Sequence, residues 1–379
     1  MKNIVIIVGT RPNFIKAFPV REILSKYYNV TLIHTGQHYD SFMSDIFFHQ
    51  LNCPKPDIHI SLLEKTRAGK LDNFLYSGKF NKCKIKQTIK KLLIEENCGK
   101  LSEIRNLVEK ELIKINPDLL LVFGDVTSTI ASALAGYKLN IPIGHIESGL
   151  RSEDLKMPEE VNRILCDSIS DIFFVTENSA IKNLYNSGIN KNIFLVGNTM
   201  IDTQTKFINK INTIDYYKKL NLTKKQYVLV TLHRPSNVDC EKQLKKNISQ
   251  LASLNETIIY PIHPRTKLKI QKLNLYYDNI KIIDPLGYFE FTSLMMNSKY
   301  VITDSGGIQE ETTSLFIPCY TLRKNTERPY TLRENYGTNK LISSIDEIDN
   351  YNPEKNNNYL WDGKASNRIL NQIDKFFRN

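Results

Sequence analysis

Three carboxylates in this chain stand where proton chemistry could be done. Asp125 follows Gly124, Glu147 lies in His145-Ile146-Glu147-Ser148-Gly149-Leu150-Arg151, and Glu159 follows Pro158. Each has an ordinary explanation by itself. Asp125 could cap the next helix. Glu159, with Glu160, would favour the positive end of a helix dipole. Their convergence argues for more, because all three fall at the same edge of one predicted sheet. Clustered carboxylates repel, which raises at least one pKa and lets one act as acid while another acts as base.

A second set suits phosphate. Ser305-Gly306-Gly307 opens a helix directly after a strand, so backbone N–H groups and the helix dipole would meet an anion there. Glu311, one turn further in, could hold ribose hydroxyls, by analogy with dinucleotide sites. Gly9-Thr10-Arg11-Pro12 makes a comparable turn near the N-terminus, with Lys16 behind it. Arg11 can grip a phosphate through two parallel hydrogen bonds. Thr35-Gly36-Gln37-His38, His233-Arg234-Pro235 and His263-Pro264-Arg265 also follow strands. Taken singly, βα turns and helix caps would account for each.

These positions matter because parallel sheets bind ligands beyond the carboxyl ends of their strands. The apolar pattern supplies such strands. Asn3–Val8, Val30–His34, Leu119–Phe123, Ile141–Ile146 and Ile172–Val175 read as buried strands, separated by amphipathic stretches such as Phe14–Ser25 and Ser128–Leu139. The alternation restarts with Ile193–Val196, Tyr227–Thr231, Ile258–Ile262, Ile280–Ile283, Tyr300–Thr303 and Cys319–Thr321. The expected class is α/β, with two Rossmann-like, doubly wound parallel sheets. The boundary is placed near residue 180, giving domains 1–180 and 181–361, with a C-terminal helix in 362–379 packing back on the first. Residues 61–100 lack a clear strand, and seven lysines in 79–100 face only Glu95 and Glu96, so this stretch reads as a solvated insertion.

Composition narrows the function classes. With 41% apolar and 24% charged residues the chain is an ordinary globular one, not a disordered one. No apolar run approaches the ~18–20 residues of a membrane span. Ile4–Val8 is too short for a signal peptide, so a cytoplasmic protein is expected. The six cysteines are scattered without a CxxC, which suggests free thiols and no metal site. A net charge of +11 points to an anionic partner: nucleic acid, a membrane surface or a phosphorylated small molecule. No P-loop, no GxGxxG after the first strand, no GxSxG elbow and no HExxH pair is present.

The ordered set of motifs resembles the non-hydrolysing UDP-N-acetylglucosamine 2-epimerase family. The resemblance rests on Gly9-Thr10-Arg11-Pro12 with Lys16, Thr35-Gly36-Gln37-His38, Gly124-Asp125, Gly144 through Arg151, and Pro158-Glu159-Glu160-Val161-Asn162-Arg163. It continues through Gly197-Asn198-Thr199, His233-Arg234, His263-Pro264, Ser305 through Glu311, and Thr326-Glu327-Arg328-Pro329. It runs from residue 3 to about 342, apart from 61–100.

The resemblance implies a GT-B-like fold with the active site in the cleft between two domains, usually in a homodimer. It implies interconversion of UDP-GlcNAc and UDP-ManNAc through loss of UDP to a 2-acetamidoglucal and re-addition. By matching positions, Asp125, Glu147 and Glu159 look like the catalytic carboxylates, and His233 like the catalytic histidine near the diphosphate. Arg11, Ser305, Gly306 and Gly307 would hold phosphates, Glu311 the ribose and Phe291 the uracil. Lys16 and Arg328 match further cations of the site, and Gln37 and His263 match parts of an allosteric UDP-GlcNAc site found in some bacterial members. Tyr39-Asp40 departs from the bacterial continuation there. No cofactor, metal, nucleic acid or membrane partner is implied. Relatives that epimerise diacetamido uronate or 6-deoxy-L sugars, and a hydrolysing relative releasing ManNAc and UDP, are the nearest alternatives. A glycosyltransferase on the same fold would need an acceptor. A nucleic-acid binder working through 79–100 would lack aromatics placed to stack bases.

Overall fold

The computed structural model describes residues 1–37, 50, 51, 53–62, 85, 99–335, 337–353 and 360–378, with Arg11 described by its backbone alone. Most of the 61–100 insertion lies outside the described residues.

The chain divides into two compact units. The first comprises Met1–Phe48, Asn52–Thr205 and Tyr359–Asn379, the second His49–Leu51 and Lys206–Asn358. The first holds β1 (Asn3–Val8), α1 (Arg11–Leu24), β2 (Asn29–His34), β3 (Ile58–His59), α2 (Lys100–Ile115), β4 (Leu119–Phe123), α3 (Thr127–Lys138), β5 (Ile143–Ile146), α4 (Pro158–Ile169), β6 (Ile172–Val175), α5 (Asn178–Asn186) and β7 (Ile193–Leu195). Helix α6 (Thr199–Asn212) carries the chain from the first unit into the second, where a single turn at Tyr216–Lys219 leads to β8 (Tyr227–Thr231). A turn at Pro235–Val238 precedes α7 (Glu241–Ala252), β9 (Thr257–Pro261), α8 (Pro264–Lys272), β10 (Ile280–Ile283), α9 (Tyr288–Asn297), β11 (Tyr300–Thr303), α10 (Gly306–Ser314), β12 (Cys319–Leu322) and β13 (Asn339–Ile342). Helix α11 (Ala365–Arg378) belongs to the first unit again.

Both sheets are parallel and doubly wound. The first runs β3-β2-β1-β4-β5-β6-β7 and the second β10-β9-β8-β11-β12-β13. In each, the order reverses beside the unit's first strand, so β1 and β4, and likewise β8 and β11, flank a switch point. Central strands are covered on both faces, which explains their unbroken apolar runs. All five residues of β4 are buried.

One expected boundary moves. Ile193–Leu195 pairs with β6 through Phe173↔Ile193 and Val175↔Leu195, so it closes the first sheet and does not open the second. The first unit therefore runs to Thr205, not to residue 180. At the C-terminus the Asp202 carboxylate accepts from the backbone N–H groups of Ala365 and Ser366 at 3.0 and 2.7 Å, filling unpaired donors at the start of α11. Tyr28 donates to Asp374, and its ring lies 5.5 Å from that of Phe377.

A histidine pair ends β2 and the edge strand β3 of the first sheet. His34 Nδ1 lies 2.9 Å from His59 Nδ1, so one ring donates and the other accepts, and both are neutral. Burial, with His59 beside it, pushes the His34 imidazole down to about 4. A histidine that stays neutral when folded but protonates when unfolded loses stability for the fold as pH falls through its ordinary value towards 4. Between pH 7 and pH 4.5, His34 should remove roughly 2–3 kcal/mol. Denaturant midpoints of His34→Gln should fall less over that range than those of the parent. Parallel falls in the two proteins would refute the assignment.

Candidate active site

At the carboxyl edge of the first sheet, each expected carboxylate has its own surroundings. Glu147, one residue past β5, is buried and forms an ion pair with Lys16 of α1. Its φ of +70° is in the left-handed region, unusual for a non-glycine residue and a common mark of functional sites. Asp125, two residues past β4, is partly exposed. It accepts from Arg163 Nε and Nη2 on α4 at 3.0 and 2.7 Å. Glu159, in the first turn of α4, is half-buried and makes no hydrogen bond or ion pair among the described residues. Asp125 and Glu147 thus stand past the adjacent strands β4 and β5, each beside a cation, and Glu159 lies in the first turn of the helix that follows.

Glu160 has a different task. Its carboxylate accepts from Ser152 N at 2.8 Å and Arg163 Nη1 at 2.6 Å, pinning the loop that leads into α4. Arg163 therefore bridges a structural carboxylate and Asp125. Asn13 of α1 donates to the Phe123 carbonyl at 3.2 Å and ties the Gly9-Thr10-Arg11-Pro12 turn to the end of β4. Arg11 stands at the first position of α1, and its side chain lies outside what is described.

In the second unit, His233 stands two residues past β8 and Asp304 directly past β11, on adjacent strands paired Thr231↔Thr303. His233 Nδ1 lies 2.9 Å from Asp304 Oδ1, with the imidazole largely exposed and the carboxylate fully buried. Asp304 also accepts from the backbone N–H groups of His233 and Arg234 and from Asn237 Nδ2 at 2.9 Å. Burial alone would push its carboxyl up, but the His233 hydrogen bond and charge and the other donors outweigh burial and hold it below the usual carboxylate range. Asp304 is a site residue that the sequence motifs do not single out.

Ser305 is the N-cap residue of α10, and Gly306 and Gly307 form its first turn, where N–H groups have no intrahelical partner. Glu311, one turn on, is buried and accepts from the Tyr288 hydroxyl at 2.8 Å. Phe291 follows on the same helix, α9, half-buried in the cluster beside Leu286 and Ile308. Arg328 is buried, ion-paired with Glu327 and 2.9 Å from Glu310 Oε1 of α10, beside the start of that helix. A Cβ on Gly306 would sit 2.5 Å from Arg328 Nη1 and 2.7 Å from Glu327 Oε1. Because that pair is buried and locked, Gly306→Ala should lower folding stability by about 1–3 kcal/mol, the usual cost of overpacking, read from denaturant midpoints. A midpoint equal to the parent's would show that the turn yields freely.

Gln37 and His263 each cap a helix. Gln37 Oε1 accepts from Ser128 N and Oγ at 2.8 and 2.6 Å at the start of α3. His263 Nδ1 accepts from Arg265 N at 3.3 Å at the start of α8. Among the described residues no group of three His, Cys, Asp or Glu side chains is arranged to hold a metal ion, and no helix is long and apolar enough to cross a membrane.

Comparison with known proteins supplies the chemical context. A family model described as UDP-N-acetylglucosamine 2-epimerase matches residues 80–374. A UDP-N-acetylglucosamine 2-epimerase homolog of Methanococcus maripaludis is 41% identical, over 97% of this chain and 98% of its own. A UDP-2,3-diacetamido-2,3-dideoxy-D-glucuronate 2-epimerase of Pseudomonas aeruginosa is 36% identical, over 86% of this chain and 84% of its own. The crystal structure of Methanocaldococcus jannaschii UDP-GlcNAc 2-epimerase, in complex with UDP-GlcNAc and UDP, superposes with a TM-score of 0.78 at 35% identity. It covers 99% of this chain and 100% of that one.

Proposed function

The chain belongs to the UDP-N-acetylglucosamine 2-epimerase family and is an epimerase, and from that premise we propose that it interconverts UDP-GlcNAc and UDP-ManNAc without net hydrolysis. The observation that carries this reading is the placement of Asp125 and Glu147 past the adjacent strands β4 and β5, each carboxylate beside a cation. Inverting C2 requires a proton to leave one face and another to arrive on the opposite face, which calls for two carriers. C2 is weakly acidic, so UDP must depart as that proton is lost, leaving a 2-acetamidoglucal. UDP then re-adds at C1 while C2 takes a proton on the other face. The sequence is redox-neutral, so it needs no hydride carrier.

In this reading the second unit holds the UDP end. Ser305, Gly306 and Gly307 meet the diphosphate with N–H groups, Glu311 takes the ribose and Phe291 the uracil. His233, oriented by Asp304, stabilises charge on the departing phosphate. Arg11 and Lys16 are the first unit's candidate substrate cations. Arg328 acts by holding the cradle in shape. A homodimer and a cytoplasmic location complete the reading.

The test is incubation with UDP-GlcNAc in deuterated water, without added NAD or metal, followed by proton NMR. UDP-ManNAc carrying deuterium at C2 is expected. Free ManNAc with UDP would replace this reading by hydrolysis. A second substrate is favoured by the 36% identical relative named for a diacetamido uronate. Turnover of that sugar, with UDP-GlcNAc inert, would assign it instead.

A further inference from the structure

His145 lies in β5, fully buried, two residues before Glu147. Its Nδ1 is 2.7 Å from Asp167 Oδ1 and its Nε2 is 2.8 Å from the Gly124 carbonyl oxygen. A carbonyl only accepts, and so does an ionised carboxylate. Asp167 is kept ionised: against its burial stand Arg151, 2.7 Å away, and the Gly149 N–H. The ring must therefore carry a proton on both nitrogens. Burial alone would push the imidazole down, but the Cys166 sulfur and Asp167 outweigh it and hold the pKa well above the ordinary value.

The ring joins two turns. Gly124, whose carbonyl it holds, has φ +64° and immediately precedes Asp125. Glu147, with φ +70°, closes the neighbouring strand, and its N–H donates to the Phe174 carbonyl at 3.0 Å. Glu147 thus uses a backbone conformation that its surroundings must hold, whereas Gly124 adopts its own as glycine does freely.

Resting on the reading that Asp125 and Glu147 move protons at C2, we propose that His145 is the positioning residue that fixes Asp125 relative to Glu147. It does so by donating from β5 to the Gly124 carbonyl at the end of β4. It touches neither the substrate nor the transferred proton in this role. Arg151 and Asp167 serve to orient the ring.

Two substitutions separate the ring's bonds. The amide of His145→Gln reaches where Nε2 stands and can still donate to Gly124, whereas that of His145→Asn stands near Nδ1 and can reach only Asp167. His145→Asn should lose about 100-fold in kcat with UDP affinity within about twofold, and His145→Gln should recover at least about tenfold of that loss. A purely structural role would lower folding yield and UDP binding together and give no such difference. His145→Asn within about threefold of the parent, or equal losses in both variants, would overturn the proposal. Asp125→Asn is run beside them. If it is inactive while His145→Asn is active, the positioning role alone falls; if it is fully active, the parent reading falls. Should His145→Asn fail to fold, nitrogen NMR of the unaltered enzyme with labelled histidine decides. A protonated Nε2 at pH 8 is expected, and an unprotonated Nε2 overturns the proposal.

Discussion

Asp125→Asn should lower kcat by about 10²- to 10⁴-fold, the range general acid–base catalysis usually contributes, with UDP affinity within about twofold. The argument rests on what the substitution leaves intact. Asp125 receives Arg163 Nε and Nη2 on one oxygen, and an asparagine oxygen can accept the same bonds. Arg163 retains Glu160 at 2.6 Å, so its charge stays paired. The Asn162 side chain donates to the Asp125 main-chain carbonyl, which does not change. Only the ability to take and give a proton is lost. Glu147→Gln would be less clean, because it strands the buried Lys16 ammonium without its counter-charge. The measurement is deuterium entry at C2 in deuterated water. Exchange at the parental rate would remove Asp125 from the proton-transfer step.

How much of this could be read in the sequence follows from which contacts are local. The β4 run Leu119–Phe123 was legible because a central parallel strand is apolar throughout. Asn339–Ile342 was not, because its middle residues are half-buried and Lys340 interrupts the run on an edge strand. Ile193–Leu195 was recognisable as a strand, yet nothing in three half-buried residues says which sheet they join. The strand ends that carry Asp125, Glu147, His233 and Ser305 were legible from the parallel-sheet rule. Their partners were not. Arg163 lies 38 positions from Asp125, and Asp304 lies 71 from His233. Only the strand order, which brings β8 beside β11, makes the second pair adjacent. Arg328 was marked by the family resemblance, while its packing against Glu310 and Glu327 becomes visible only in three dimensions.

That second pair carries the other large effect. Asp304→Asn should reduce kcat by about 10²- to 10³-fold, because the carboxylate fixes both the ring plane and the proton on His233 Nδ1, which leaves Nε2 as the outward atom. An asparagine would set an NH₂ against a site built entirely of donors: the N–H groups of His233 and Arg234, the Asn237 amide and the imidazole. Stability should also fall by about 1–3 kcal/mol, the cost of leaving buried hydrogen-bonding groups unsatisfied. The sign of the pH dependence supplies a check. A carboxyl held below its unfolded value of 3.8 stabilises the fold above that pH, and this is lost as pH falls through its folded value. The variant should lack that acid-side component. Stability loss alone could mimic a catalytic effect, so the deciding experiment is a double-mutant cycle with His233→Asn. If Asp304 works through His233, its substitution costs little further kcat once the imidazole is gone. Additive losses in the cycle would show that Asp304 serves the β8–β11 turns and not the histidine.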